Sequence, residues 1–169
     1  MLLTCSIAYS ATAQDASQPA GTWYLGASDA TDLFRMFSSE GMEMSPFVGY
    51  AIADNIAITL GLDYYTETAD GGSGGEDVTN SYQDISVGAA YFFGDNFYAQ
   101  AGVSLGAVTM QSNDDTSSTS IQIGLGKFIP VKDLWYVSPQ LTYSTYSGDE
   151  GNGMTSSGAS IGISFGARF

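Results

Sequence analysis

A period of two runs through most of this chain, and it constrains the fold more than any other feature. In Ile56-Ala57-Ile58-Thr59-Leu60-Gly61-Leu62-Asp63-Tyr64 the even positions are large and apolar, and the odd positions are small or polar. Phe97–Ala107 and Ala159–Phe169 alternate in the same way. Successive side chains of a strand point to opposite faces, so each segment has one apolar face and one small, polar face. Eight such segments are predicted: Thr22–Ser28, Met44–Ile52, Ile56–Glu67, Ser81–Phe93, Phe97–Met110, Thr119–Ile129, Leu134–Ser147 and Ser156–Phe169. Their connections alternate in length. Short ones are Ala53–Asn55, Gly94–Asn96 and Pro130–Asp133; long ones are Asp29–Glu43, Thr68–Asn80, Gln111–Ser118 and Gly148–Thr155. A weak internal repeat supports the unit of one hairpin plus one long loop. Tyr50–Asn55 matches Tyr91–Asn96, with Asp54 and Asp95 separated by 41 residues. Repeated through the chain, that unit gives antiparallel strands with both termini at the short-turn end.

Which face meets which solvent decides the class. A water-soluble sandwich would bury Ile58, Leu60, Val103, Ile161 and Ile163 and turn the other face to water. That other face is Gly, Ser, Thr, Ala and Gln. Soluble sheets usually carry charge there, but charged residues make up only 13% of this chain and fall almost entirely in connections. The inverse arrangement puts the apolar face in lipid, where every backbone group needs an internal partner and the sheet must close. Most segments have the roughly 9–11 residues that a spanning strand needs. Trp23, Tyr50, Tyr64, Tyr91, Phe97, Trp135, Tyr143 and Phe169 lie near segment ends, as in interfacial girdles. The expected fold is therefore all-β: a closed eight-stranded antiparallel up-and-down transmembrane β-barrel over residues 22–169. No apolar run is long enough for a transmembrane helix.

Residues 1–13 read as an incomplete signal peptide, with an A-x-A site at Ala11-Thr12-Ala13 but no basic residue before the apolar stretch. Cys5 is the only cysteine, so no internal disulfide can form, and a lipoprotein reading of Leu2–Cys5 lacks the preceding hydrophobic segment. Residues 14–21 read as a polar N-terminal linker.

Chemistry is sparse. The chain has no histidine, which removes imidazole as base or metal ligand. A net charge of −14 argues against nucleic acid. Asp63 and Asp84 point inward by parity and could form an acid pair or a cation site, but are read as lumen residues hydrogen-bonded to Ser, Tyr or water. The glycine-rich acidic segment Asp70–Asp77 lacks the ligand spacing of an EF-hand. Asn113–Asp115 and Gly148–Glu150 add acid to the same rim. Glycines 61, 88, 102, 106, 124, 126, 162 and 166 read as small inward residues or bends. Leu33, Phe34, Met36 and Phe37 give the first long loop an apolar patch, read as self-packed or as a partner surface or plug. Arg35 lies at the long-loop end, whereas Lys127, Lys132 and Arg168 lie near the short turns. Lys127 is expected to snorkel, and Arg168 to close the lumen floor. No catalytic, cofactor-binding or metal-binding residue is assigned.

The alternating carboxyl-terminal run Ile161-x-Ile163-x-Phe165-x-Ala167-x-Phe169, together with Pro46–Tyr50 leading into Asp54-Asn55, resembles the small eight-stranded outer-membrane β-barrels of the OmpA/OmpX type. The resemblance implies a bacterial outer membrane, short turns facing the periplasm, linker 14–21 on that side, and lipid around the barrel. It further implies that the last strand, ending at Phe169, is recognised by the barrel-assembly machinery. The expected function is non-enzymatic: a structural or surface-interaction role through acidic extracellular loops that could meet a partner. A narrow cation-preferring channel is the alternative, opposed by inward Tyr24, Tyr98 and Tyr136. A secreted lipocalin-like binding barrel is the further alternative.

Overall fold

In the computed structural model the described residues are 18–30, 41–69, 78–110, 116–148 and 155–169. They form a ten-stranded antiparallel sheet. The strands are β1 (Trp23–Ala27), β2 (Gly41–Met44), β3 (Pro46–Ala53), β4 (Ile56–Ala69), β5 (Val78–Phe93), β6 (Phe97–Met110), β7 (Thr116–Lys127), β8 (Ile129–Lys132), β9 (Trp135–Gly148) and β10 (Thr155–Arg168). Neighbours pair from β1 through β3, β4, β5, β6, β7 and β9. Strand β10 pairs with β9 from Thr155↔Ser147 to Ala167↔Trp135, and with β1 from Tyr24↔Arg168 to Ala27↔Phe165.

Ten strands stand where eight segments are expected, because two segments are interrupted. The first breaks at Ser45, whose carbonyl and hydroxyl oxygens accept from the amides of Ser28 and Asp29. Its outer part, β2, begins at Gly41 and pairs with β4, so the long connection is shorter than Asp29–Glu43. The second breaks at Phe128, whose side chain is buried. Beyond it, Ile129–Lys132 is strand, paired with β9 across an irregularity between Pro130 and Lys132. The expected connection Pro130–Asp133 is thereby corrected: the turn is at Asp133-Leu134, where Asp133 takes a φ of 49°. The other short turns use Asn55, Asp95 and Asn96 at φ of 63°, 50° and 63°. Asn and Asp visit this left-handed region at the lowest cost after glycine.

The faces sort as the alternation predicts. Ile58, Leu60, Val87, Val103, Leu105, Ile123 and Ile163 are exposed, whereas Ser104, Ser120, Ser138 and Ser164 are buried. Inward volume is shared across strand pairs. Tyr98 lies opposite Gly126, Tyr136 opposite Gly166, Tyr24 opposite Gly49 and Phe47 opposite Gly26. Gln100 likewise faces Gly124, and Gln122 faces Gly102. A Cβ at Gly126 would run into the ring of Tyr98, so the glycine is a seat for its neighbour and not a bend.

Candidate functional site: the lumen and its floor

The short-turn half of the interior is filled by aromatic rings. Phe128 is the hub. Its ring centroid lies 4.0 Å from that of Tyr136, 5.4 Å from Phe92, 5.6 Å from Tyr24 and 5.7 Å from Tyr98. Ala51, Ala57 and Ala90 complete the cluster, with Phe47 packed against it. The inward positions of Tyr24, Tyr98 and Tyr136 are those parity predicts. Phe47, Phe92 and Phe128 were open to the same argument, because each sits at an inward step of its segment.

Beneath the rings lies a polar knot around Gln18, which is fully buried. Its carbonyl side-chain oxygen accepts from the Tyr24 hydroxyl at 2.7 Å and from Arg168 Nη1 at 3.3 Å. Its amide nitrogen Nε2 donates to Asn96 Oδ1 at 3.3 Å. Its backbone N–H donates to Asn55 Oδ1 at 3.2 Å, and its carbonyl accepts from the Asn55 amide at 2.7 Å. Ala20 N–H donates to Asp54 Oδ1 at 3.0 Å. The turn residues that solve the backbone problem of the hairpins thus also supply side-chain partners. Residues 18–21, expected as the end of a polar linker, instead cap the short-turn end. Periodicity carries no signal for one capping residue; the only hint was a matched Asp-Asn pair in two turns at the same end. Arg168 does reach the floor, through Gln18. Lys127 Nζ sits 4.4 Å from the centre of the Phe97 ring, its cross-strand neighbour, so its charge rides along the outer aromatic row.

Above the rings is a cavity of about 160 Å³. Gln100, Gln122 and Gln140 line one wall, Thr59, Ser86 and Asp63 another, and Tyr24, Phe92, Tyr98 and Phe128 its base. Gln140 Oε1 accepts from the Tyr98 hydroxyl and from Gln100 Nε2, at 3.2 and 3.3 Å. Farther toward the long loops Asp63 and Asp84 are register partners on β4 and β5, so the structure does bring them together. Asp84 Oδ2 accepts from Ser104 Oγ at 2.8 Å and from the Tyr82 hydroxyl at 3.1 Å, and Ser104 Oγ lies 2.6 Å from Ser120 Oγ. A buried carboxylate needs such donors, and these are the partner types expected for a hydrogen-bonded lumen residue. Among the described residues no cluster of three or more potential metal ligands converges.

The outward apolar face, the inward polar face and the pairing of first with last strand all belong to one kind of protein, and a family comparison agrees. The model for the outer membrane protein beta-barrel domain matches residues 1–169. The chain belongs to that family. No curated protein matches it. As in any outer membrane β-barrel domain, its membrane-crossing elements are strands; among the described residues no helix is long and apolar enough to span. The expected signal peptide 1–13, Arg35, the apolar patch Leu33–Phe37, the segment Asp70–Asp77 and the acids Asp114, Asp115, Asp149 and Glu150 lie outside the described residues.

Proposed function

We propose that this chain is a closed eight-stranded barrel of the bacterial outer membrane, with short turns in the periplasm and acidic loops outside. In this reading β2 with β3, and β7 with β8, each count as one spanning strand, and the β1–β10 pairing is the closing seam. Its role is non-enzymatic: a structural or surface-interaction barrel whose long loops present the partner-facing surface. Phe169 and the last strand serve as the assembly machinery's recognition element.

The observation that carries this reading is the sealed floor. Five inward aromatic rings and the Gln18 knot fill the short-turn half, which supports a closed floor over an open bore. Eight strands leave little more than side-chain room in any case. The narrow-channel alternative needs a bore where Phe128 and Tyr136 stack. The lipocalin-like alternative has to leave Ile161, Leu105 and Ile85 in water at 84%, 66% and 62% exposure, a surface a soluble protein avoids.

Two measurements on the detergent-extracted protein test the proposal. Unboiled and boiled samples are expected to migrate differently in SDS, because a sheet without free edges gives no start for unravelling. In planar bilayers the folded protein is expected to show no steady conductance. Equal mobility would remove the closed barrel; a stable cation-selective current would replace the sealed barrel by the channel.

A further inference from the structure

The outward face is not evenly filled. Over most of the sheet it carries Ile, Leu and Val, but at the β9–β10–β1–β3 junction the outward residues Ala167 and Ala27 are small and sunk to 7% and 8% exposure. They floor a groove of about 360 Å³ in which Trp135 and Leu25 flank Ala167, Phe165 and Pro46 flank Ala27, and Met44 and Ser45 line the long-loop end. Trp135 stacks flat on Phe165, centroids 5.2 Å apart at 7°, and forms the short-turn end of the groove. Its indole N–H has no hydrogen-bond partner among the described residues. Across the β8–β9 pair its register partner is Lys132, which is exposed.

We infer that this groove is a binding site for one anionic phospholipid of the leaflet at the short-turn end. One acyl chain lies in the apolar channel over Ala167 and Ala27. The ester and phosphate region meets the Trp135 N–H and the Lys132 ammonium. The inference rests on the membrane reading proposed above. Two features select a lipid over other occupants. The lining is apolar apart from Ser45 at the long-loop end, and at the short-turn end it stops at the Trp135 indole, beyond which Lys132 stands exposed across the strand pair, which is the layout of a lipid molecule. An indole at the interface keeps its ring in the apolar layer and its N–H in the polar one.

The test uses the full chain, folded in detergent and mixed with phosphatidylglycerol or with phosphatidylcholine, and counts retained lipids by native mass spectrometry. Gel mobility of the same preparation reads the barrel. Wild type is expected to keep one phosphatidylglycerol per chain in preference to phosphatidylcholine. Ala27→Leu fills the groove and is expected to cut retention of either lipid at least about tenfold, as loss of several buried methylenes would. Lys132→Gln is expected to lower phosphatidylglycerol retention about fivefold, the effect of one lysine near an anionic surface, and to abolish the preference. Trp135→Phe keeps the stack and removes the donor, and is expected to weaken both lipids. Should Ala27→Leu fail to fold, the last two variants decide. Equal retention by all chains that show the mobility shift overturns the site, and so does a lipid-free dimer, which would assign the groove to a second copy. A wild type without the mobility shift overturns the membrane reading, and the groove with it.

Discussion

The two halves of this molecule are built on different terms. Toward the short turns, rings pack on rings, Tyr24, Phe47, Tyr98 and Tyr136 each have a glycine opposite, and the chain before β1 is tied to two turns and the last strand. Toward the long loops small Ser and Gly residues surround the buried Asp84 carboxylate, the inward tyrosines Tyr65 and Tyr146 are exposed, and in β10 every residue from Thr155 to Ile161 is exposed, whichever way it points. Only one half therefore has a packed interior. The difference teaches where stability resides and where sequence is free: the floor half fixes the structure, and the rim half carries loops that can change.

Paired substitutions, one in each half, test that contrast. Phe128→Ala removes the ring hub and is expected to cost about 3–5 kcal/mol, whereas Tyr146→Ala at the rim is expected to stay within about 1 kcal/mol. Urea unfolding in micelles reads both, and similar losses would erase the distinction. Next in size is a comparison of glycines. Gly126→Ala pushes a methyl into the Tyr98 ring and is expected to destabilise by about 1–3 kcal/mol. At Gly158 nothing lies within 4 Å of an added Cβ, so Gly158→Ala is expected to be neutral within about 0.5 kcal/mol. Gln18→Ala removes the side-chain partner of Tyr24, Arg168 and Asn96 at the floor and is expected to lower stability by about 1–3 kcal/mol. Gln18→Glu is expected to recover part of that through Arg168, visible as a higher temperature for the gel-mobility transition than Gln18→Ala gives. Smallest, and opposite in sign, is Tyr136→Phe. The Tyr136 hydroxyl is buried with no hydrogen-bond partner among the described residues. Its removal is expected to raise stability by about 1 kcal/mol, and a clear loss would reveal a bridging water.

Strand positions and facing were legible because lipid outside and a narrow lumen inside impose the same rule at every second residue. Val103 and Ser104 illustrate it: adjacent in sequence, they stand at 51% and 5% exposure. The inward position of Asp84 followed from the same rule. Interruptions at Ser45 and Phe128 were not legible, since they depend on where a neighbouring strand stops and not on local pattern. Nor was Gln18, because its burial arises from four partner residues gathered from positions 24 to 168, each unremarkable alone. The lipid-facing groove escaped for a related reason: parity tells which way Ala27 and Ala167 point, but a recess appears only when small outward residues on adjacent strands come side by side.

The opposition of ring and glycine across the strands has a consequence for how such a sequence can drift. Tyr98 and Gly126 share one allotment of space. Either position considered alone looks intolerant of change, yet the pair could exchange its members, Tyr98→Gly with Gly126→Tyr, and leave the ring at the same height on the next strand. The inherited unit is the sum across the pair, so related chains can differ at both positions while agreeing on the interior, and a comparison made one column at a time would miss that agreement.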